Sequence, residues 1–233
     1  MKTIEPSTTL GELVAEQSSR AALFERLRLD YCCGGAQTLA QACESRGLDP
    51  GTVCRLLEAL DEPLPDHQHP EGRDWRRASV ADLVDHIVAA HHDRLRAELP
   101  RLDELTATVV RVHGADHPEL HDLRRLFETL RGELESHIAS EERDVFPACV
   151  AAEADGGAVD EAVLASHEHE HTATGDVLTA LRELGQDYDS SRALCGTHRR
   201  LLEGLEQLEL DLHRHIHEEN NVLFPRVRAR ASA

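Results

Sequence analysis

Aromatic side chains make up only 3% of the 233 residues. Without them a core has to be built from Leu, Val, Ala and Ile. That mixture, with abundant Glu and Arg, favours helices over sheets. Basic residues are scarce as well: 25 Lys and Arg against 44 Asp and Glu give a formal net charge of -19. Such a surface repels phosphates, which excludes nucleic acid and an anionic membrane face as partners. No apolar run approaches the ~20 residues of a membrane span, so no membrane association is expected. The opening MKTIEPSTTLGELV lacks a basic region followed by an apolar run, so no secretory signal is expected. The six cysteines include no C-x-x-C pair and lack the spacing of a disulfide scaffold. Free thiols in a reducing cytoplasm are the simplest reading.

Histidine, by contrast, is plentiful, at 16 residues. It is the side chain most used for metals and proton transfer near neutral pH. Position along the chain has to separate ligands from surface.

The pattern is all-α. Residues 1–62 read as a small module of short helices. Thr9 and Glu12 have capping-box spacing, and Asp49–Pro50 has a cap followed by proline at the first helical position. Residues 63–77 are rich in Pro, Asp and His without an apolar period and read as a linker, in which His67 and His69 are ordinary exposed histidines. Residues 78–233 carry four long helical patterns, from about Ser79 past Pro100, Pro118 to Ala152, Val159 to Leu184, and Ser190 to Arg228. Short loops between long helices make an antiparallel four-helix bundle.

An internal repeat marks the bundle. HIASEERDVFP (137–147) and HIHEENNVLFP (215–225) share His, Ile, Glu, Phe and Pro at the same offsets, 78 residues apart. In each copy His and Glu four residues later lie on one helix face, beside the apolar stripe. A buried carboxylate needs a partner or a cation. The other two helices offer His86, His91 and His92, and His167, His169 and His171. His92 precedes His137 by 45 residues and His171 precedes His215 by 44, so the spacing echoes the repeat. Four imidazoles and two carboxylates converging from four helices describe a dinuclear site, with the carboxylates bridging and two imidazoles capping each metal. Nitrogen and oxygen donors suit iron or manganese rather than a structural zinc cage. HEHEH (167–171) also fits the H-E-x-x-H pattern of zinc proteases, but no glycine turn with a third His follows it. His167 and His169 are expected to be exposed or outside the ligand shell, and His217 to face away from the site.

DYCCGG-x-QTL near the N-terminus, followed by HHDRLRAELP, ESHIASEE and HIHEENNVLFP, resembles the iron-sulfur cluster repair di-iron proteins, which join a small Cys-Cys domain to a hemerythrin-like bundle. The resemblance covers nearly the whole chain. It implies two iron ions, oxo- or hydroxo-bridged, on His92, His137, Glu141, His171, His215 and Glu219, and it selects His92 over His91. It also implies that Glu133 and Glu170 lie near the centre, lining a path for ions or protons. The implied function is restoring iron-sulfur clusters damaged by oxidative or nitrosative stress by donating iron. Damaged iron-sulfur proteins would be the clients, nitric oxide or oxygen the small ligands, and a homodimer the assembly to test. An oxygen or nitric oxide carrier or sensor, or a nitric oxide reductase, is the alternative. Cys32 and Cys33 precede a Gly-Gly turn and a helix. A helix N-terminus would lower a thiol's pKa there and ready the pair to handle iron, sulfur or electrons, or to dock a client.

Overall fold

Thr9 accepts the backbone N–H of Glu12, and Glu12 reaches back to the Thr9 N–H, so the expected capping box starts the first helix, α1 (Leu10–Glu16). The computed structural model describes residues 3–61 and 74–231. Most of the expected linker, with His67 and His69, lies outside the described residues. A single 3-10 turn leads into α2 (Ala21–Leu27), which ends where Arg28 takes a left-handed conformation. A second capping box, Thr38 with Gln41, starts α3 (Leu39–Ser45). Asp49 and Pro50 start α4 (Pro50–Leu60). The buried Arg20 guanidinium ties the module together, bonding Leu13 O, Glu16 and Asp61.

Four rods follow. Rod one is α5 (Val80–Ile87) continued by a π turn, Val88–His92, into α6 (Asp93–His113). Rod two is α7 (Glu119–Ser140), a π turn, Glu141–Val145, and α8 (Phe146–Asp155). Rod three is α9 (Glu161–Leu184). Rod four is α10 (Gly196–Glu218), a π turn, Glu219–Leu223, and α11 (Phe224–Ala231). The fold is the expected all-α bundle, and α6 continues through Pro100 as expected.

Rod four begins later than the Ser190 expected from sequence. Ser190–Arg192 form only a 3-10 turn, and Ala193 (ψ 128°) and Cys195 (ψ 176°) are extended, so no α-helix runs on from Ser190. Before them Gln186, Asp187 and Tyr188 have φ between 52 and 59°, and the buried Tyr188 is folded inward. Cys195 then caps α10, its sulfur accepting the His198 N–H.

The repeated Phe-Pro has a structural consequence. Pro147 and Pro225 have no N–H to return to the carbonyl four residues back. The Phe before each donates instead five residues back, Phe146 to Glu141 O and Phe224 to Glu219 O. The widened turn relieves the proline ring's clash, as bulges of this type do. Glu141 and Glu219 are the first residues of those two turns, so each repeat's glutamate and proline flank one widened turn.

Apolar residues fill the bundle on both sides of these turns. Leu95, Leu99, Phe127, Leu130, Leu134 and Leu205 belong to one cluster, and Leu83, Ile87, Phe146, Leu223 and Phe224 to another. The repeat's isoleucines part company: Ile138 joins the bundle core, and Ile216 enters the core of the N-terminal module beside Tyr31 and Cys32. Asn221 on rod four fastens that module, donating to Cys32 O at 2.9 Å and Tyr31 O at 3.3 Å. It fits because Gly11 and Gly35 lack side chains. A Cβ on Gly35 would fall 2.7 Å from Tyr31 O and 2.1 Å from Asn221 Oδ1. Gly35→Ala is therefore expected to destabilise the chain by ~1–3 kcal/mol as an overpacked site. The thermal midpoint should drop and Cys33 should alkylate faster; an unchanged midpoint and labelling rate would show that the module does not depend on this fit.

Candidate metal centre

The three π turns hold His91 and His92, Glu141, and Glu219. They lie at one level of the bundle, and the structure brings all six expected donors together there. His92, Glu141, His215 and Glu219 place one ligand atom each within 4.8 Å of one another, and so do His137, Glu141, His171 and Glu219. The two glutamates are common to both sets. Glu141 Oε1 lies 2.9 Å from His137 Nε2 while its Oε2 lies 3.4 Å from His92 Nε2. Glu219 Oε1 lies 3.0 Å from His215 Nε2 and its Oε2 3.0 Å from His171 Nε2. Each carboxylate thus spans two imidazole pairs, His92 with His215 at 3.1 Å and His137 with His171 at 3.0 Å. The pairs do not follow the halves of the repeat: rods one and four make one pair, rods two and three the other.

For three of the four imidazoles a bond at the outer nitrogen explains why Nε2 faces inward. His92 Nδ1 donates to Glu142 Oε1 at 2.7 Å, and Arg96 holds that carboxylate from the far side, also at 2.7 Å. His171 Nδ1 donates to Asn220 Oδ1 at 2.8 Å. His137 Nδ1 donates to Glu170 Oε2 at 2.7 Å. A proton fixed on Nδ1 leaves the Nε2 lone pair for a cation. Glu142 and Asn220 occupy the same position of the two repeat copies, one past the shared glutamate. That alignment was the available signal for two residues the sequence reading did not single out. The repeat's phenylalanines also match, Phe146 stacking on His92 at 5.5 Å and Phe224 on His171 at 6.2 Å.

Both glutamates are fully buried, and three of their oxygens, Glu141 Oε1 and Oε2 and Glu219 Oε2, lack a hydrogen-bond partner among the described residues. Burial alone would push these carboxyls up. The imidazoles outweigh it, holding Glu141 well below the usual range and Glu219 at about 2 despite repulsion from Glu141. Two ionised carboxylates inside a helical core, each with unpartnered oxygens, are what a dication neutralises. The residues present therefore fit a metal pair bound through nitrogen and oxygen.

Other expected residues fall elsewhere. Glu133 is exposed on rod two, and no hydrogen bond among the described residues joins it to the six donors. Of the HEHEH run, His169 is exposed, Glu168 pairs with Arg228 at 2.6 Å, and His167 is buried with Nδ1 3.7 Å from Glu141 Oε1. With Glu168 turned to Arg228, the geometry lacks the general base of a zinc protease. His217 faces the N-terminal module, 5.5 Å from the Tyr31 ring, and burial lowers it to about 4.

Cys32 and Cys33 do not sit on a helix N-terminus. Helix α3 starts at Leu39 and Thr38 caps it, so the helix dipole does not act on them. Asp30 shapes their turn instead, its carboxylate accepting the N–H groups of Cys32, Cys33 and Gly34. The Cys32 thiol faces Cys33 Sγ at 3.9 Å; that contact, then the nearby His171 and His213, lower Cys33, while Cys32 is pushed well above its ordinary value. Cys33 Sγ lies 3.5 Å from the carbonyl of His171, and Asn220, the acceptor for His171, also reaches Cys32 O at 3.5 Å. Both thiols line a cavity of about 600 Å³ between the N-terminal module and rods three and four. No disulfide forms among the described cysteines, and no described helix is long and apolar enough to cross a membrane.

This is the architecture of a cation-binding helical bundle carrying a cysteine-bearing module. Residues 82–227 match the hemerythrin HHE cation binding domain, and residues 6–61 match ScdA_N, a domain of unknown function (DUF542). The iron-sulfur cluster repair protein YtfE of Pectobacterium carotovorum subsp. carotovorum (strain PC1) is 37% identical over 220 residues, 94% of this chain and 95% of the relative. The protein of that name from Escherichia coli (strain UTI89 / UPEC) is 36% identical over 221 residues, 94% and 96% of the two chains. The chain belongs to this family of hemerythrin-type iron-sulfur cluster repair proteins.

Proposed function

We propose that the chain binds two iron ions on His92, His137, Glu141, His171, His215 and Glu219, and that it restores iron-sulfur clusters damaged by oxidative or nitrosative stress by giving up iron. The observation that carries this reading is the pair of buried glutamates, each presenting its two oxygens to different imidazole pairs. When bound, the irons supply the cargo for repair and a place where nitric oxide or oxygen can react. The chain's own residues hold His92, His137 and His171 in one tautomer, exclude water with Phe146 and Phe224, and supply the balancing charge. Residues 1–62 act as the cysteine module and residues 78–233 as the iron module. Cys32 and Cys33 are the groups that would receive an ion or dock a client, since their turn abuts the backbone of His171. Six unpaired thiols fit a reducing cytoplasm.

Restoration of activity to a cluster enzyme inactivated by nitric oxide, with loss of iron from this protein, tests the proposal. Reversible oxygen uptake without iron loss would mean a carrier, and many turnovers of nitric oxide with a reductant would mean an enzyme. Glu170 and Glu133 should separate in iron affinity. Glu170→Gln removes the charged acceptor on His137 and is expected to weaken iron binding ~10–100-fold, as loss of such outer hydrogen bonds does. Glu133→Gln should leave the affinity unchanged in a competitive chelator titration. Equal weakening by both would place a charged path, rather than the His137 contact, in control.

A further inference from the structure

A second group of donors adjoins the six and takes no part in them. His86, His91 and Glu218 each place a ligand atom within 4.8 Å of the others. Glu218 Oε1 lies 3.3 Å from His86 Nε2 and Oε2 lies 3.5 Å from His91 Nε2, so one carboxylate faces two imidazoles. His91 Nδ1 donates to Asp211 Oδ1 at 3.2 Å, which fixes its tautomer and leaves Nε2 turned to Glu218. Trp75 stacks on the His86 ring at 4.1 Å and holds it in place. This is the same construction as in the centre: an outer carboxylate on Nδ1, an inner carboxylate beside Nε2.

Three atoms of the group are buried without a hydrogen-bond partner: His91 Nε2, Glu218 Oε2 and Asp211 Oδ2. His91 is 5% exposed and Asp211 6%. His91 Nε2 and Glu218 Oε2 face each other at 3.5 Å without a hydrogen bond, an arrangement that a cation between them would satisfy.

The group exists because the repeat's symmetry breaks here. Glu170 precedes His171 and accepts from Nδ1 of His137 on the neighbouring rod. The matching position before His92 is His91. Instead of accepting from His215, its ring stacks on His215 at 5.4 Å and 11°, and His215 Nδ1 has no hydrogen-bond partner among the described residues. His91 has turned its own nitrogens to Asp211 and Glu218. Glu218 and Glu219 are neighbours in sequence, as are His91 and His92, so rods one and four carry inner and outer donors side by side.

We propose that His86, His91 and Glu218 form a third cation site, for a ferrous or similar divalent ion, adjoining the His92–His215 side of the centre. Imidazole and carboxylate donors without thiolate suit such an ion. Only three protein ligands are offered, and the His86 side chain is 30% exposed. Water completes the shell, and the ion is held more loosely than the enclosed pair and exchanges with solvent. The site stands on its own donors; its role as a waiting position for iron entering or leaving the centre rests on the iron-donor reading above.

Anaerobic equilibrium dialysis of the full chain against ferrous ion, with the enclosed centre already loaded, tests the site. Wild type should take up one further iron per chain. His86→Ala and Glu218→Gln should each lose it while the near-ultraviolet bands of the enclosed centre persist. His86 is half-buried at the rim, so its truncation leaves the core packing in place. A wild-type chain that takes up no iron beyond the centre's, or variants that both keep the additional ion, would overturn the site. The bands and the repair assay report the enclosed pair separately, so a missing third ion leaves the iron-donor reading standing.

Discussion

Glu219→Gln is expected to leave the chain folded and, on the two-iron reading proposed above, in which Glu219 would serve both ions, to reduce its iron from about two ions to less than one. Glutamine keeps the volume of a side chain that is fully buried on the π turn of rod four, so packing does not change. What changes is chemistry at both ion positions together. One oxygen becomes an amide nitrogen that aims hydrogens at either His215 or His171, each 3.0 Å from the native carboxylate. One position loses a ligand outright, the other loses an anionic donor, and the cavity loses a negative charge that offset the cations. Loss of a donor shared by two ions should therefore exceed the effect of removing an imidazole that serves one. His217→Gln is the control: buried two residues from His215, yet turned to Tyr31 and the N-terminal module, it should keep full iron. Metal analysis and near-ultraviolet absorption on protein purified without added metal provide the readout, with far-ultraviolet circular dichroism to check helicity. Two irons retained in the Glu219→Gln chain would mean that the glutamates do not bridge.

That these six side chains meet could be read from the chain because its regularities are local. His and Glu four apart share a helix face in any bundle, and the repeat with its 45- and 44-residue echoes picked the helices that answer each other. How the six regroup was not legible: His92 pairs with His215 and His137 with His171, a fact of which rods are neighbours in space. The outer acceptors were half legible. Glu142 and Asn220 align in the repeat, but Glu and Asn are different enough in type that only geometry shows both accepting from Nδ1. Two of the three π turns were present as Phe-Pro and went unread, because a proline inside a helical pattern signals a kink as readily as a bulge; the third, Val88–His92, carries no such mark. The setting of Cys32 and Cys33 was misread for a different reason. The nearest helix lies along the chain, whereas the contacts that count, Asp30, His171 and the two asparagines of rod four, are made by a turn folding onto a distant rod. His91 illustrates the same limit. Adjacent histidines on a helix diverge in direction, and only the positions of Asp211 and Glu218 show what the second one meets.

Removing the metal should reverse the way thermal stability responds to pH. In the metal-free chain, burial pushes His92, His137 and His171 down, but Glu141 and Glu219 outweigh it. His92 and His137 therefore titrate above the ordinary 6.5, and His171 well above it. A proton on these rings is held more tightly in the folded chain than in the unfolded one. That stabilisation is complete below 6.5 and is lost as pH rises through the raised values. The glutamates work in the opposite sense. Glu219, lowered from 4.5 to about 2, stabilises the fold above 4.5 and stops doing so as pH falls through about 2. From the centre alone, the metal-free chain is most stable between 4.5 and 6.5 and weakens on the alkaline side. Iron demands the reverse protonation. Each Nε2 must lose its proton to bind, so affinity grows with pH, and bound metal stabilises by mass action. The iron-loaded midpoint should therefore rise from pH 6 to pH 8 relative to the metal-free one, with ~1 kcal/mol appearing as about 2–4 °C in a chain of this size. Taking the difference at each pH cancels the many surface carboxylates, which titrate alike in both forms. Thermal melts of chelated and iron-loaded protein across this range give the answer. A gap that narrows as pH rises would mean that the imidazoles are already neutral in the empty cavity, and that Glu141 and Glu219 are held there by something other than protonated histidine.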